Sequence, residues 1–263
     1  MQQLGLYGKL PGQGDFVTRR LPRAFVDRID AWLQELLAQS QSQLGERWLD
    51  AYMDAPIWRF VLGPGVSSAT QWVGVLVPSV DRVGRWFPFV VAAPAPWHAD
   101  PASVMAALDG WHESLERHCL HALQTRCDLD QLDAALQRLV LPRSVPAPLL
   151  MGAAVDSDDT LPLPTRSGGA AAPGNGEDTT LPLPEATTLP SVYAFGPGTA
   201  IEFAADRVRS VLEGVPQTGC LWAARRADGG RDLLVTEGLP GSLQSCALID
   251  GAWGLHGWAC VAG

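Results

Sequence analysis

The sequence predicts an α/β fold of the α+β type, in which helices flank an antiparallel sheet. Apolar residues recur with the 3.6-residue period of core-facing helices in several stretches. Between them lie short runs rich in Val, Phe and Trp, bounded by Gly and Pro, which are typical of strands. With 47% hydrophobic residues and ten tryptophans in 263 residues, the chain can bury a sizeable core.

Four helices follow from the spacing of apolar residues. The first covers residues 22–39, and a shorter one covers 44–54 and ends before Pro56. Helical spacing returns at 102–125 and again at 129–140. A further short helix is predicted near residues 205–213.

Strands are predicted in two groups, on either side of a segment without periodicity. A hairpin-like connection joins the second and third strands, because Gly84 can take a positive φ there. The predicted strands are 57–63, 71–78 and 85–93 in the first group, and 191–196, 220–224 and 231–238 in the second.

Residues 152–190 interrupt this pattern. The segment is built from Pro, Gly, Ala, Thr and acidic residues and has no aromatic side chain, so it has too little apolar surface to offset chain entropy. We predict a disordered insertion there, with residues 1–151 and 191–263 as two parts of a single domain. The sequence alone leaves open the alternative that the insertion joins two domains.

Charge and cysteine content exclude several classes of protein. A formal net charge of −9 and a pI of about 4.9 argue against nucleic-acid binding, which needs a basic face. No apolar run reaches the roughly 18 residues of a membrane helix, so membrane insertion is not expected. Five cysteines without C-x-x-C spacing indicate reduced thiols in a cytoplasmic protein.

The glycine-rich opening, residues 5–22, resembles a phosphate-binding loop but lacks the required spacing. Gly8 and Lys9 are followed by leucine, so the hydroxyl of a Walker A loop is missing. A dinucleotide-binding loop needs G-x-G-x-x-G, and here an aspartate, Asp15, directly follows Gly14. We therefore expect no nucleotide and no other cofactor.

Neither a metal site nor a nucleophile is indicated. His112, His118 and His121 lie near Cys119 on one predicted helix, with His112 on the apolar face of Cys119 and His118 and His121 pointing elsewhere. No H-x-x-x-H pair is present, so we expect polar surface histidines beside a buried thiol and not a metal site. A G-x-S-x-G nucleophile elbow is also missing. The sequence therefore favours a protein that is not an enzyme.

The stretch SVDRVGRWFP, residues 79–88, places Asp81, Arg82 and Arg85 among apolar neighbours. One interpretation is an internal ion pair that fixes the turn. The other is a guanidinium offered to a carboxylate or phosphate of a partner, which Arg binds with bidentate geometry.

Three stretches together resemble the TagF family of type VI secretion: YGKLPGQGDFV (7–17), LGERWLDAYMDAPIWRFVL (44–62) and GVLVPSVDRVGRWFP (74–88). Residues 219–240 resemble the closing pair of strands of that family. The resemblance implies one α/β domain, similar to longin-like or profilin-like folds, without enzymatic activity.

The resemblance also implies a function. It indicates a cytoplasmic, post-translational repressor that binds the forkhead-associated-domain scaffold protein of the secretion system, with the system's threonine kinase and phosphatase as further candidate partners. A structural accessory or a phosphate-handling switch of the same system is the alternative. The predicted protein-binding residues are Asp81, Arg82, Arg85, Lys9, Asp15 and Arg59.

A near-repeat in the insertion suggests a modification. DDTLPLP (158–164) returns as DTTLPLP (178–184), and each copy has a leucine three places after a threonine, Thr160 or Thr180. Forkhead-associated domains recognise phosphothreonine and the residue three places after it. We hypothesise that both threonines are phosphorylated; the alternative is a plain Pro-rich linker.

Overall fold

A computed structural model describes residues 3–97, 99–145, 190–197, 201, 204 and 219–262. These residues form one mixed α/β unit built on a large sheet. The predicted insertion up to residue 189, including Thr160 and Thr180, and the helix predicted at 205–213 lie outside the described residues.

The sheet has nine strands within the described part of the chain, in the order β2-β1-β5-β4-β3-β7-β8-β6-β9. All neighbouring strands are antiparallel except β6 and β9, which are parallel. The pairing of β3 with β7 places strands from before and after the insertion in the same sheet. The strands are β1 Gly5–Gly8, β2 Val17–Arg19, β3 Trp58–Leu62, β4 Trp72–Val77, β5 Phe89–Pro94, β6 Ser191–Phe195, β7 Cys220–Arg225, β8 Arg231–Thr236 and β9 Ala259–Ala262.

Helices cover both faces of the sheet, because successive strand residues alternate between one apolar core on one face and two on the other. Phe60 faces the core formed with α1 and α2, whereas Val61 faces the core formed with α3. The helices are α1 Arg23–Leu44, α2 Trp48–Asp54, α3 Pro101–Ala107, α4 Asp109–Thr125, α5 Leu129–Leu136, α6 Ser242–Ser245 and α7 Ala247–Asp250, with 3-10 turns at Gly45–Arg47 and Trp253–His256.

The helix predicted at 102–125 is wrong as a single element, because it is divided into α3 and α4 at Leu108. Asp100 caps α3 by accepting a hydrogen bond from the Ser103 amide. The next residues are Asp109 and Gly110, both weak helix formers, so the break has a local cause. It also lets Asp109 contact Arg59 of β3.

The centre of the sheet has no room for a side chain at one position of β4. A Cβ on Gly74 would lie 2.1 Å from the Val91 carbonyl oxygen and 2.8 Å from the Phe60 ring. Glycine at this site therefore lets the Phe60 ring lie across β4.

No helix of the described residues is both long enough and apolar enough to cross a lipid bilayer.

Candidate protein-interaction surface

Two loops meet at one end of the sheet, and both come from the stretches that resemble TagF. The first loop, residues 9–16, joins β1 to β2, and the second loop, residues 78–88, joins β4 to β5. They emerge side by side because Gly8 pairs with Phe89. Gly8 has φ of 129°, and a Cβ there would lie 2.2 Å from the Pro88 carbonyl oxygen, so only glycine fits this crossing.

The carboxylate of Asp81 is the centre of this arrangement. Its side chain is fully buried, and Oδ1 accepts hydrogen bonds from the amides of Val83 and Arg85 at 2.9 Å. Oδ2 lies 2.6 Å from Arg85 Nε and 3.2 Å from Lys9 Nζ. Burial opposes ionisation, but the hydrogen bonds from Arg85, Lys9 and Val83 outweigh it and hold the pKa of Asp81 well below its ordinary value. The interpretation of an internal ion pair is therefore confirmed.

Lys9 joins the first loop to the second. Its ammonium is buried, and besides contacting Asp81 it lies 5.0 Å from the centre of the Phe16 ring. The Lys9 carbonyl accepts a hydrogen bond from Ser79 Oγ at 2.6 Å. The hydroxyl of Tyr52 on α2 in turn donates a hydrogen bond to the Ser79 carbonyl and accepts one from the Ser79 amide. Both loops are thus fixed to the body of the fold.

The two arginines of the second loop lie on the surface. Arg85 is 56% exposed at its side chain and donates from Nη2 to the Gly14 carbonyl at 2.6 Å. The Arg82 amide donates to the Gln13 carbonyl at 2.8 Å, and its guanidinium lies over Gly14. Within the described residues, the Arg82 guanidinium has no ion-pair or hydrogen-bond partner. It is therefore free to bind an external anion.

Two apolar side chains are exposed beside these arginines, and sequence reasoning missed both. Phe16 is 44% exposed and Val83 is 65% exposed. Asp15, which was predicted to bind a partner, is also exposed, and its Oδ1 accepts a hydrogen bond from the Phe16 amide. We call Asp15, Phe16, Arg82, Val83 and Arg85 the arginine surface.

Three predicted binding residues are buried instead. Lys9, Asp81 and Arg59 are only 6%, 3% and 1% exposed, so no partner can touch their side chains in this conformation. Charge in a sequence does not report burial, and each of the three is neutralised inside the protein. Lys9 and Asp81 contact the arginine surface from the inside, through Phe16 and Arg85.

Arg59 belongs to a separate ion-pair network under α4. Its guanidinium donates to both carboxylate oxygens of Glu116, from Nε at 2.6 Å and from Nη2 at 2.9 Å, and also to Asp109. Arg231 of β8 lies 3.7 Å from the same carboxylate of Asp109. This network connects the central strands to α4 and gives Arg59 a structural role.

His112 lies in the interior, on the same apolar face of α4 as Cys119, as the helical spacing indicates. The side chain is fully buried under the sheet, with the backbone of Leu108 and Gly74 nearby but outside hydrogen-bonding geometry. Burial, reinforced by the charge of Arg59, lowers the pKa of His112 to about 3. The imidazole is therefore neutral at physiological pH.

Comparisons with known proteins agree with these motifs. The family described as "TagF N-terminal domain, Type VI secretion system-associated" matches residues 5–139. The crystal structure of PA0076 from Pseudomonas aeruginosa PAO1 is 30% identical and superposes with a TM-score of 0.62, over 95% of this chain and 94% of that chain. No curated protein matches the chain. The chain belongs to the TagF family of type VI secretion system-associated proteins.

Proposed function

We propose that this protein is a non-catalytic, cytoplasmic repressor of type VI secretion that binds the forkhead-associated-domain scaffold protein of the apparatus. Family membership supports the link to the secretion system. The likeness to longin-like or profilin-like folds is part of the same proposal, and helices on both faces of an antiparallel sheet are compatible with it.

The observation that carries the proposal is the guanidinium of Arg82, which has no partner in the part of the chain that the structure describes and stands on a rigid loop. Arginine is enriched among the residues that dominate binding energy at protein interfaces. The loop is fixed by buried contacts of Asp81, so little conformational entropy is lost when a partner binds. The two interpretations of residues 79–88 are then compatible, because one side of the turn is internal and the other faces outward.

A calorimetric titration of the full chain with the scaffold protein of the same secretion system tests this function. We expect a dissociation constant in the micromolar range or below, and at least a tenfold weakening by Arg82→Glu. Arg117→Glu on α4 is the matched control, because Arg117 is exposed but lies outside the arginine surface. Absence of binding by the unaltered chain would reject scaffold binding.

The same titration separates the folded unit from the insertion. Binding that requires phosphate at Thr160 or Thr180 would assign recognition to the insertion and not to the arginine surface. Mass spectrometry of kinase-treated protein shows whether either threonine is modified. Stoichiometric copurification with the assembled apparatus, without binding to the scaffold, would instead favour a structural accessory.

A further inference from the structure

We infer that the arginine surface docks into an apolar pocket bordered by carboxylates on its partner, with Phe16 and Val83 as the side chains that enter the pocket. The identity of the partner rests on the proposed function. The inference adds the chemistry of the partner's surface and the two apolar residues that recognise it.

The Phe16 ring is held in position before any partner binds. It stacks on Tyr7 at 5.8 Å between ring centres and meets the edge of Phe87 at 4.8 Å. The ammonium of Lys9 lies 5.0 Å from its centre. An aromatic ring that is 44% exposed and yet fixed on one side gains apolar burial on docking with little entropy loss.

Val83 occupies the tip of the second loop. The turn is closed by a hydrogen bond from the Gly84 amide to the Asp81 carbonyl at 3.1 Å, and Gly84 has φ of 87°. The Val83 amide is also bound to Asp81, so the β-branched side chain projects from a fixed backbone. The side chain is 65% exposed, so an apolar pocket on a partner would bury most of its surface.

The charge of the arginine surface indicates which residues border the pocket on the partner. Lys9 and Asp81 are buried against each other, so the exposed charges of the two loops are two cations, Arg82 and Arg85, and one carboxylate, Asp15. The chain as a whole has a net charge of −9, so this is a locally positive surface on an acidic protein. Such a surface attracts carboxylates and repels cationic partners.

This charge has a consequence for a forkhead-associated-domain partner. Domains of that class bind phosphothreonine with clustered arginines, which would repel the arginine surface. The contact must therefore lie on an acidic face outside the phosphothreonine pocket. The scaffold can then bind this protein and a phosphothreonine peptide at the same time.

Calorimetry with the full chain and the intact scaffold tests the inference. We expect Phe16→Ser and Val83→Ser each to weaken binding at least tenfold, with a change below twofold for Leu243→Ser, an apolar residue on α6 whose 52% exposure lies between theirs. A saturating phosphothreonine peptide should change the dissociation constant less than twofold. Thermal unfolding of Val83→Ser, whose side chain is already 65% exposed, verifies that the fold is intact.

The outcomes distinguish this inference from the proposed function. No binding by the unaltered chain rejects the proposed function and the inference with it. Binding that Val83→Ser retains in full, or that the phosphopeptide abolishes, rejects only the inference. Self-association of the chain that Arg82→Glu abolishes would also reject it, because the occupant would then be a second copy.

Discussion

Replacing Arg59 with methionine should destabilise the protein by about 3 kcal/mol. The substitution removes three charge-assisted hydrogen bonds and leaves Glu116 and Asp109 without their buried cation. Removing one partner of a buried ion pair costs about 3–5 kcal/mol. The side chains of Glu116 and Asp109 remain 18% and 26% exposed and regain some hydration, so we expect the lower end of that range. For a chain of this size, the melting temperature should fall by about 6–12 °C.

Thermal unfolding followed by circular dichroism at pH 7 measures this change. The double variant Arg59→Met, Glu116→Leu should recover most of the loss, because an apolar pair replaces the Arg59–Glu116 ion pair and Asp109 keeps Arg231 at 3.7 Å. A loss below about 1 kcal/mol in the single variant would refute the structural role of Arg59. Unchanged scaffold binding by the folded single variant would further separate Arg59 from the interaction surface.

Three further predictions concern two glycines, a buried histidine and two cysteines. Gly74→Ala should lower stability by about 3 kcal/mol by overpacking, whereas Gly110→Ala, where nothing lies within 4 Å of the new methyl group, should raise it by about 0.5–1 kcal/mol in thermal unfolding. The pKa of His112 is depressed to about 3, so the unfolded chain binds the extra proton, and stability should fall as pH decreases from about 6.5 towards 3. His112→Leu should flatten this pH profile by up to about 1.4 kcal/mol per pH unit in denaturant titrations; an unchanged slope would contradict the assignment. A maleimide should label the exposed Cys260 in the native protein, and the buried Cys119 only after denaturation, as mass spectrometry of the two peptides can show.

The sequence predicted the type of most described elements because apolar periodicity reports which residues face a core. The stripe on α1 is an example, since Phe25, Ile29 and Leu36 are all buried as their spacing indicates. The break at Leu108 could not be predicted in this way, because a fully buried leucine fits the apolar stripe of one continuous helix equally well. The order of the strands could not be predicted either, because the pairing of Phe60 with Trp222 joins residues far apart in the chain.

The candidate site was predictable in its location but not in its chemistry. The motif at residues 79–88 pointed to Asp81, Arg82 and Arg85, and the structure brings all three together. Which charges are buried depends on a contact between Lys9 and Asp81, across the two loops, that no local pattern encodes. The exposure of Phe16 could not be predicted either, because aromatic side chains are usually largely buried.

The burial of Asp81 explains why a turn on the surface needs so many charged residues. One carboxylate neutralises Lys9 and binds Nε of Arg85, which leaves the remaining nitrogens of Arg85 directed to Gly14 and to solvent. Arg82 receives nothing from Asp81, and among the described residues only its amide is bound, so its full positive charge stays available on a fixed backbone. A turn that needed only to be stable would satisfy its single buried carboxylate with Lys9 and Arg85. The additional arginine, together with the exposed valine that follows it, is therefore the part of the motif to which we assign the proposed binding of a partner.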